Sequence, residues 1–286
     1  MYSLTTLTQA LQGVDEPREE AFRLLEHFCG ASRAALLCDR DRTYRDAGLE
    51  AAVERRLSGE PLQYILGEWD FFGCRFTVTR DCLIPRPDTE VLVETALAYV
   101  RPGAIVADLC TGSGCIATAL LAARADVSLC AGLELYPATL ELAARNAARN
   151  GARDRFLPVQ ADLLRGGADV LTEELRARTG DAEVRLDMIL SNPPYIRTSD
   201  LAGLAPELAY EPRAALDGGA DGLIFYRAIL SDYAHLLRAG GRLLLEIGAD
   251  QAAEVCALAE AAGGWSDVSV RRDLGGRDRV VCLRRI

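Results

Sequence analysis

The sequence predicts an α/β protein: a mostly parallel sheet with helices on both faces, a C-terminal antiparallel hairpin, and in front of it a small helical bundle and a β-hairpin linker. Three observations lead there. From residue 85 onward, short apolar, β-branched runs alternate with longer stretches of helical spacing, the pattern of strands joined by crossover helices. The last two strand-like runs are separated only by Asp273-Leu274-Gly275-Gly276-Arg277-Asp278, too short for a crossover, so they should pair antiparallel. Residues 1–62 carry helical spacing alone.

In order along the chain, "REEAFRLLEHFCG" is a helix ending at Gly30, a good C-cap, and "GLEAAVERRLSGEP" is a second, stopped by Gly59 and Pro61. These place a bundle over 1–62. Residues 63–84, with "YILGEWDFFGCRFTVT", are aromatic and β-branched with glycines at 67 and 73, which predicts a hairpin linker. Over 85–286 the strands are "AIVADL", "VSLCAGLE", "RFLPVQAD", "LDMILSN", "RLLLEIG", "DVSVRR" and "DRVVCLRR". Helices fall between the earlier ones: "GCIATALLAAR", "PATLELAARNAARNG", "VLTEELRART", "FYRAILSDYAHLLRAGG" and "DQAAEVCALAEAAGG".

Composition narrows the function. The 286 residues hold 42 acidic and 32 basic side chains, a net charge of −10, and every basic one is Arg. Neither part of the chain is a basic platform, so no stable nucleic-acid binding is expected. No apolar run approaches the ~20 residues of a membrane span. The N-terminal "MYSLTTLTQALQG" lacks the basic start and apolar core of a signal peptide. The nine cysteines show no CxxC pair, which predicts reduced thiols and a cytoplasmic protein. His27 and His235 stand outside any ligand-spaced group, so no metal is expected.

Ligands of an open parallel sheet bind beyond the carboxyl ends of its strands. The first strand ends in Asp108-Leu109-Cys110-Thr111-Gly112-Ser113-Gly114, the second in Glu134, the third in Asp162 and the fourth in Asn192. Gly112 and Gly114 allow a tight turn with no side chain in a ligand's way. Glu134 is placed to accept from two ribose hydroxyls. Asp162 and Leu163 border an adenine ring. Together they describe a nucleoside pocket. Gly112 and Gly114 with Ala117 also satisfy a dinucleotide fingerprint, but hydride transfer gives no reason for "SNPPYI" at the fourth tip. Methyl transfer from S-adenosylmethionine does. The Asn192 side-chain oxygen and the Pro193 carbonyl can hold both hydrogens of an amide nitrogen, aim it, and favour the charge that develops on it. Pro193 and Pro194 stiffen the acceptors beforehand, and Tyr195 can lay its ring against a planar amide. Taken alone, the four residues read better as a strand stop followed by a rigid turn; the three preceding strand tips reverse that balance.

Further stretches carry a resemblance: "PLQYILGEWDFFGCRFTV", "LIPRPDTEVLVE", "DLCTGSGCIA", "SNPPYI", "YEPRAALDGGADGL", "LLLEIGADQ" and "GRDRVV". From about residue 60 onward the chain resembles the PrmC/HemK family, N5-glutamine methyltransferases of class 1 peptide chain release factors, with a class I (Rossmann-like) methyltransferase sheet. The resemblance implies that Cys110 to Gly114 lie beneath the methionine part of S-adenosylmethionine, that Glu134 binds the ribose and that Leu163 flanks the adenine. It implies that Asn192 touches both cofactor and substrate, and that Pro193, Pro194 and Tyr195 complete a glutamine pocket. The partner implied is a release factor, methylated on the glutamine of its GGQ motif and held by the helical bundle; a monomer is expected. Three positions depart from the family pattern. Cys110 stands for the usual Gly, so its backbone must avoid positive φ or bear strain. Glu134 stands for Asp, and Leu163 for an aromatic residue. Asp88, Glu90, Arg86, Glu211 and Glu246 are secondary candidates for shaping the site. The rival readings are a nucleic-acid amino-group methyltransferase (adenine N6 or guanine N2) with the same site, and a cofactor-binding protein without turnover.

Overall fold

A computed structural model describes all 286 residues, which form two compact units. The first comprises Met1–Glu68 with Ala205–Tyr210. Its helices are α1 (Leu4–Ala10), α2 (Pro17–Cys29), α3 (Arg33–Cys38), α4 (Ala47–Leu57) and α5 (Leu62–Leu66). Local chemistry sets their ends. Ser3 and Thr6 form a capping box, the Asp46 carboxylate accepts from Leu49 N at 3.0 Å, and Gly30 closes α2 in the left-handed conformation. Leu4, Leu7, Leu11, Phe22, Leu25, Leu49 and Val53 are buried as its core. Inside this unit Arg56 is buried and pairs with Glu20 and Glu207, each at 2.6 Å. Residues 62–66 are helical where the sequence predicts the start of a hairpin. Pro61 and Gly67 bracket one short helix there, and these terminal signals outweigh the β-leaning residues between them.

The second unit is Trp69–Leu204 with Glu211–Ile286. A two-stranded hairpin pairs β1 (Glu68–Phe71) with β2 (Cys74–Thr77). Then follow α6 (Glu90–Tyr99), β3 (Ile105–Leu109), α7 (Cys115–Ala123), β4 (Leu129–Glu134), α8 (Pro137–Arg149), β5 (Phe156–Gln160), α9 (Gly167–Thr179) and β6 (Leu186–Ser191). The chain ends with α10 (Ile224–Ala228), β7 (Leu237–Glu246), α11 (Ala252–Ala262), β8 (Trp265–Arg272) and β9 (Asp278–Arg285). The seven strands of the main sheet lie in the order β5-β4-β3-β6-β7-β9-β8. The first five are parallel, and β9 runs antiparallel to both β7 and β8.

Both faces of the sheet are covered, so its central strands are mostly apolar and successive residues enter different cores. Met188 and Leu190 pack with Val106, Leu92 and Ile116 on the face of α6, α7 and α8. Ile189, with Ala107, Leu171 and Tyr226, packs on the face of α9, α10 and α11.

A second predicted element differs. The helix expected over 225–241 is α-helical only to Ala228, widens to a π turn over Ile229–Tyr233, and tightens over Ala234–Leu236. Gly240 and Gly241, which look like a helix stop, lie inside β7. Leu186 pairs with Leu237 and Met188 already with Arg242, so residues 238–241 bulge out of the ladder, and Gly240 takes φ +77° there.

Candidate active site

The chain winds outward in opposite directions from β3 and β6, which makes their boundary the switch point where a crevice opens. Leu109 and Ser191, the two strand tips, are in register. The Ser191 hydroxyl donates to the Leu109 carbonyl at 2.7 Å and ties them together. Beyond them lies a cavity of about 490 Å³, within the roughly 300–1,000 Å³ usual for small-molecule sites.

The glycine turn forms its floor. Asp108 is fully buried beneath and braces the turn: its Oδ2 accepts from the Thr111 hydroxyl at 2.6 Å and from Ala117 N at 3.3 Å. Burial pushes its pKa up to about 7. Gly114 takes φ +76°, and a Cβ there would sit 3.0 Å from Ala143 Cβ on α8. A Cβ on Gly112 would meet nothing nearer than the Cys110 carbonyl at 4.0 Å, so the turn presents open backbone to the cavity. Cys110 adopts φ +59° and bears the strain that glycine would avoid. Its thiol pKa is pushed well above the ordinary value by burial.

Glu134 stands at the next tip. Its Oε2 accepts from Gly112 N at 3.1 Å, and its Oε1 accepts from Leu135 N at 2.9 Å and Tyr136 N at 3.1 Å. The acid therefore joins the glycine turn to the start of α8. These bonds use three of about four acceptor positions on a carboxylate. Burial raises its pKa, and the three bonds oppose that. Asp162 accepts from Leu164 N at 2.9 Å, and Leu163 adds buried apolar wall.

At the β6 tip, Asn192 and Pro194 line the cavity; Pro193 and Tyr195 are not among its lining residues. The Asn192 Nδ2 donates to the Thr89 hydroxyl at 3.2 Å. Burial pushes the Tyr195 phenol up to about 12. The following backbone is clasped. Ile196 N donates to Leu216 O at 2.9 Å, Gly218 N to Ile196 O at 2.8 Å, and Gln251 Nε2 to Tyr195 O at 3.0 Å. A Cβ on Gly222 would come within 2.4 Å of the Tyr195 carbonyl. Opposite, Arg86 pairs with Glu211, whose Oε2 accepts from Ile84 N at 3.0 Å, and Pro212 joins the wall.

The structure thus gathers Cys110, Thr111, Gly112, Ser113, Glu134, Asp162, Leu163, Asn192 and Pro194 around one cavity, while Asp108 and Gly114 lie beneath it. Sequence reasoning did not single out Asn146, Gly218, Gly222 or Gln251. Only the glycines left a signal, the cluster in "LDGGADGL". Asp88 pairs with Arg279 at 3.0 Å, and Glu90 accepts from Phe72 N at 2.8 Å.

Strand order, switch-point crevice and the turns and acids at the strand tips define a class I methyltransferase domain. Solved structures share the fold. A methyltransferase from Pyrococcus furiosus matches with a TM-score of 0.50 and 18% identity over 84% of this chain and 98% of that one. The hMettl16 catalytic domain, solved with the MAT2A 3'UTR hairpin 6, matches with a TM-score of 0.55 and 16% identity over 83% and 80%. S-adenosylmethionine is the methyl donor of such a domain, and the open glycine turn, half-buried acid and apolar wall fit it. Residues 4–67 match the family model of the PrmC N-terminal domain. The release factor glutamine methyltransferase of Cereibacter sphaeroides is 46% identical over 281 residues, covering 96% of this chain and 94% of that protein. That of Geobacter sulfurreducens is 44% identical over 276 residues, covering 95% and 91%. The chain belongs to the release factor glutamine methyltransferase family.

Proposed function

We propose that the protein transfers a methyl group from S-adenosylmethionine to the side-chain amide nitrogen (N5) of the glutamine in the GGQ motif of class 1 peptide chain release factors. The observation that carries this is the juxtaposition of the Cys110–Ser113 turn with Asn192 and Pro194, on adjacent strand tips around one cavity. S-adenosylmethionine supplies a methyl already activated on a positively charged sulfur. Everything else falls to the chain. The open backbone of the glycine turn supports the methionine part, Glu134 holds the ribose, and Asp162 and Leu163 border the adenine. An amide nitrogen is a weak nucleophile because its lone pair is delocalised. Asn192 Oδ1 and the Pro193 carbonyl accept its two hydrogens, hold it in line, and stabilise the positive charge that grows on it. Tyr195, kept neutral by burial, closes the pocket behind Asn192. No strong base is required, because the proton leaves after the methyl has moved.

The helical unit holds the rest of the release factor, and a glutamine on a Gly-Gly tip reaches a narrow pocket without steric conflict. The enzyme acts in the cytoplasm as a monomer without stable nucleic-acid binding. The acidic charge supports the last of these, and no helix is long and apolar enough to cross a membrane. The test is incubation with methyl-labelled cofactor and, separately, release factor, RNA and DNA. Label is expected on release factor alone; label on nucleic acid alone would establish the rival reading instead.

A further inference from the structure

Strand β7 ends in Glu246, a carboxyl that the mechanism above leaves unused. It is 2% exposed, and its Oε2 has no hydrogen-bond partner. The nearby Arg279 turns its guanidinium to Asp88 at 3.0 Å and to Asp273 at 3.2 Å. Burying a carboxyl in this way is costly, so its surroundings bear on what it does. Asp88 and Thr89 face it from the turn before α6, Asn192 and Tyr195 from the β6 tip, Arg279 from β9, Tyr226 from α10 and Cys115 from α7. Burial pushes its pKa up to about 7, while hydrogen bonding from Thr89, the Arg279 charge and hydrogen bonding from Asn192 act the other way.

We infer that Glu246 is a positioning residue that fixes, with Thr89, which end of the Asn192 amide faces the substrate. The proposal rests on the methyl-transfer reading of Asn192. Donor and acceptor capacity decides the orientation. An ionised carboxylate only accepts. Ser191 and Leu245 are in register on the paired strands β6 and β7, so Asn192 and Glu246 follow side by side, and the carboxylate there can accept from Asn192 Nδ2 and from the Thr89 hydroxyl. Thr89, with its proton so committed, can only accept from Asn192, and the observed bond is Nδ2 to Thr89 Oγ1 at 3.2 Å. Both contacts turn Nδ2 inward and leave Oδ1 for the substrate amide. A glutamine at 246 reverses this logic. Its amide can donate to Thr89, which frees the hydroxyl to donate to Asn192 Oδ1. The Asn192 amide can then flip and present hydrogens to the hydrogens of the substrate. A protonated Glu246 permits the same flip.

The test compares wild type, Glu246→Gln and Thr89→Val by turnover on release factor and by calorimetric cofactor binding. For Glu246→Gln, kcat should fall roughly 10²-fold, the scale of losing one well-placed charge-stabilising group, with the cofactor Kd within about threefold of wild type. Wild-type kcat should fall as pH drops through about 7, as the carboxylate takes up its proton; the corresponding step should be missing in Glu246→Gln. Thr89→Val should lose roughly tenfold in kcat and decides the matter if Glu246→Gln does not fold. A Glu246→Gln enzyme with near-wild-type kcat, or one losing cofactor affinity as much as kcat, would overturn the proposal, as would a fully active Thr89→Val. A wild-type enzyme that methylates no release factor would instead overturn the functional reading on which the proposal stands.

Discussion

Cys110 carries a cost that its position does not require. A non-glycine residue at φ +59° costs roughly 1–2 kcal/mol, and Gly112 and Gly114 in the same turn escape it. Cys110→Gly should therefore stabilise the fold by about 1 kcal/mol after the extra entropy of an unfolded glycine, raising the melting midpoint by ~2 °C. A lower midpoint in a thermal melt would show that the thiol's packing outweighs the strain. Glu134 was legible as an acid at a strand tip, but its working geometry was not. The longer side chain lets its carboxylate fold back onto three backbone N–H groups, including Gly112 of the turn. On the proposed ribose role, Glu134→Ala should both remove an acceptor and loosen the turn, weakening cofactor affinity by roughly tenfold or more. Calorimetry showing an unchanged Kd would reject the ribose assignment.

Elements were legible where local periodicity sets them and obscure where distant partners do. The strands from β3 to β6 announce themselves as apolar runs, and Gly30 marks the end of α2. Asn146 shows the other case. In sequence it is one polar residue in the helix "PATLELAARNAARNG". In the structure it is fully buried, its Oδ1 accepts from Thr77 N at 2.8 Å, and its Nδ2 donates to the Thr77 carbonyl at 3.0 Å and the Ser113 carbonyl at 2.9 Å. One side chain thus pins the edge of the β1/β2 hairpin and the glycine turn to α8. Asn146→Ala would strand buried backbone groups at about 1–3 kcal/mol each. It should cost about 2–4 kcal/mol in denaturant unfolding and weaken cofactor binding as well. A loss below about 1 kcal/mol would mean that water replaces those bonds. The bulge in β7 was hidden for a similar reason: a glycine pair reads alike as a helix stop and as a strand bulge until the partner strand is known.

Over the whole molecule, alternation of strand and helix was enough to predict the sheet and its antiparallel end, because each parallel pair requires a crossover. The strand order, and with it the placing of Asn192 beside the glycine turn, depends on long-range pairing that spacing cannot show. The folded sheet buries two carboxyls near the ends of β3 and β7, the strands on either side of β6. Asp108 rises from an ordinary 3.8, and Glu246 from 4.5, to about 7 through burial. Between those values the native state holds more protons than the unfolded chain. The stability from these two groups is therefore full below about pH 4 and is lost as pH rises through about 7. Thermal midpoints should fall from pH 5 to pH 8; a midpoint rising over that range would contradict the assignment. The proposed methyl transfer turns on what Asn192 holds. Its most direct measurement is mass spectrometry of the release-factor peptide containing the GGQ glutamine, after incubation with S-adenosylmethionine and either wild-type enzyme or Asn192→Ala. One added methyl on that glutamine is expected with wild type, with the rate reduced roughly 10²–10³-fold in the variant. An unmodified glutamine with wild type, or equal methylation by both enzymes, would contradict it.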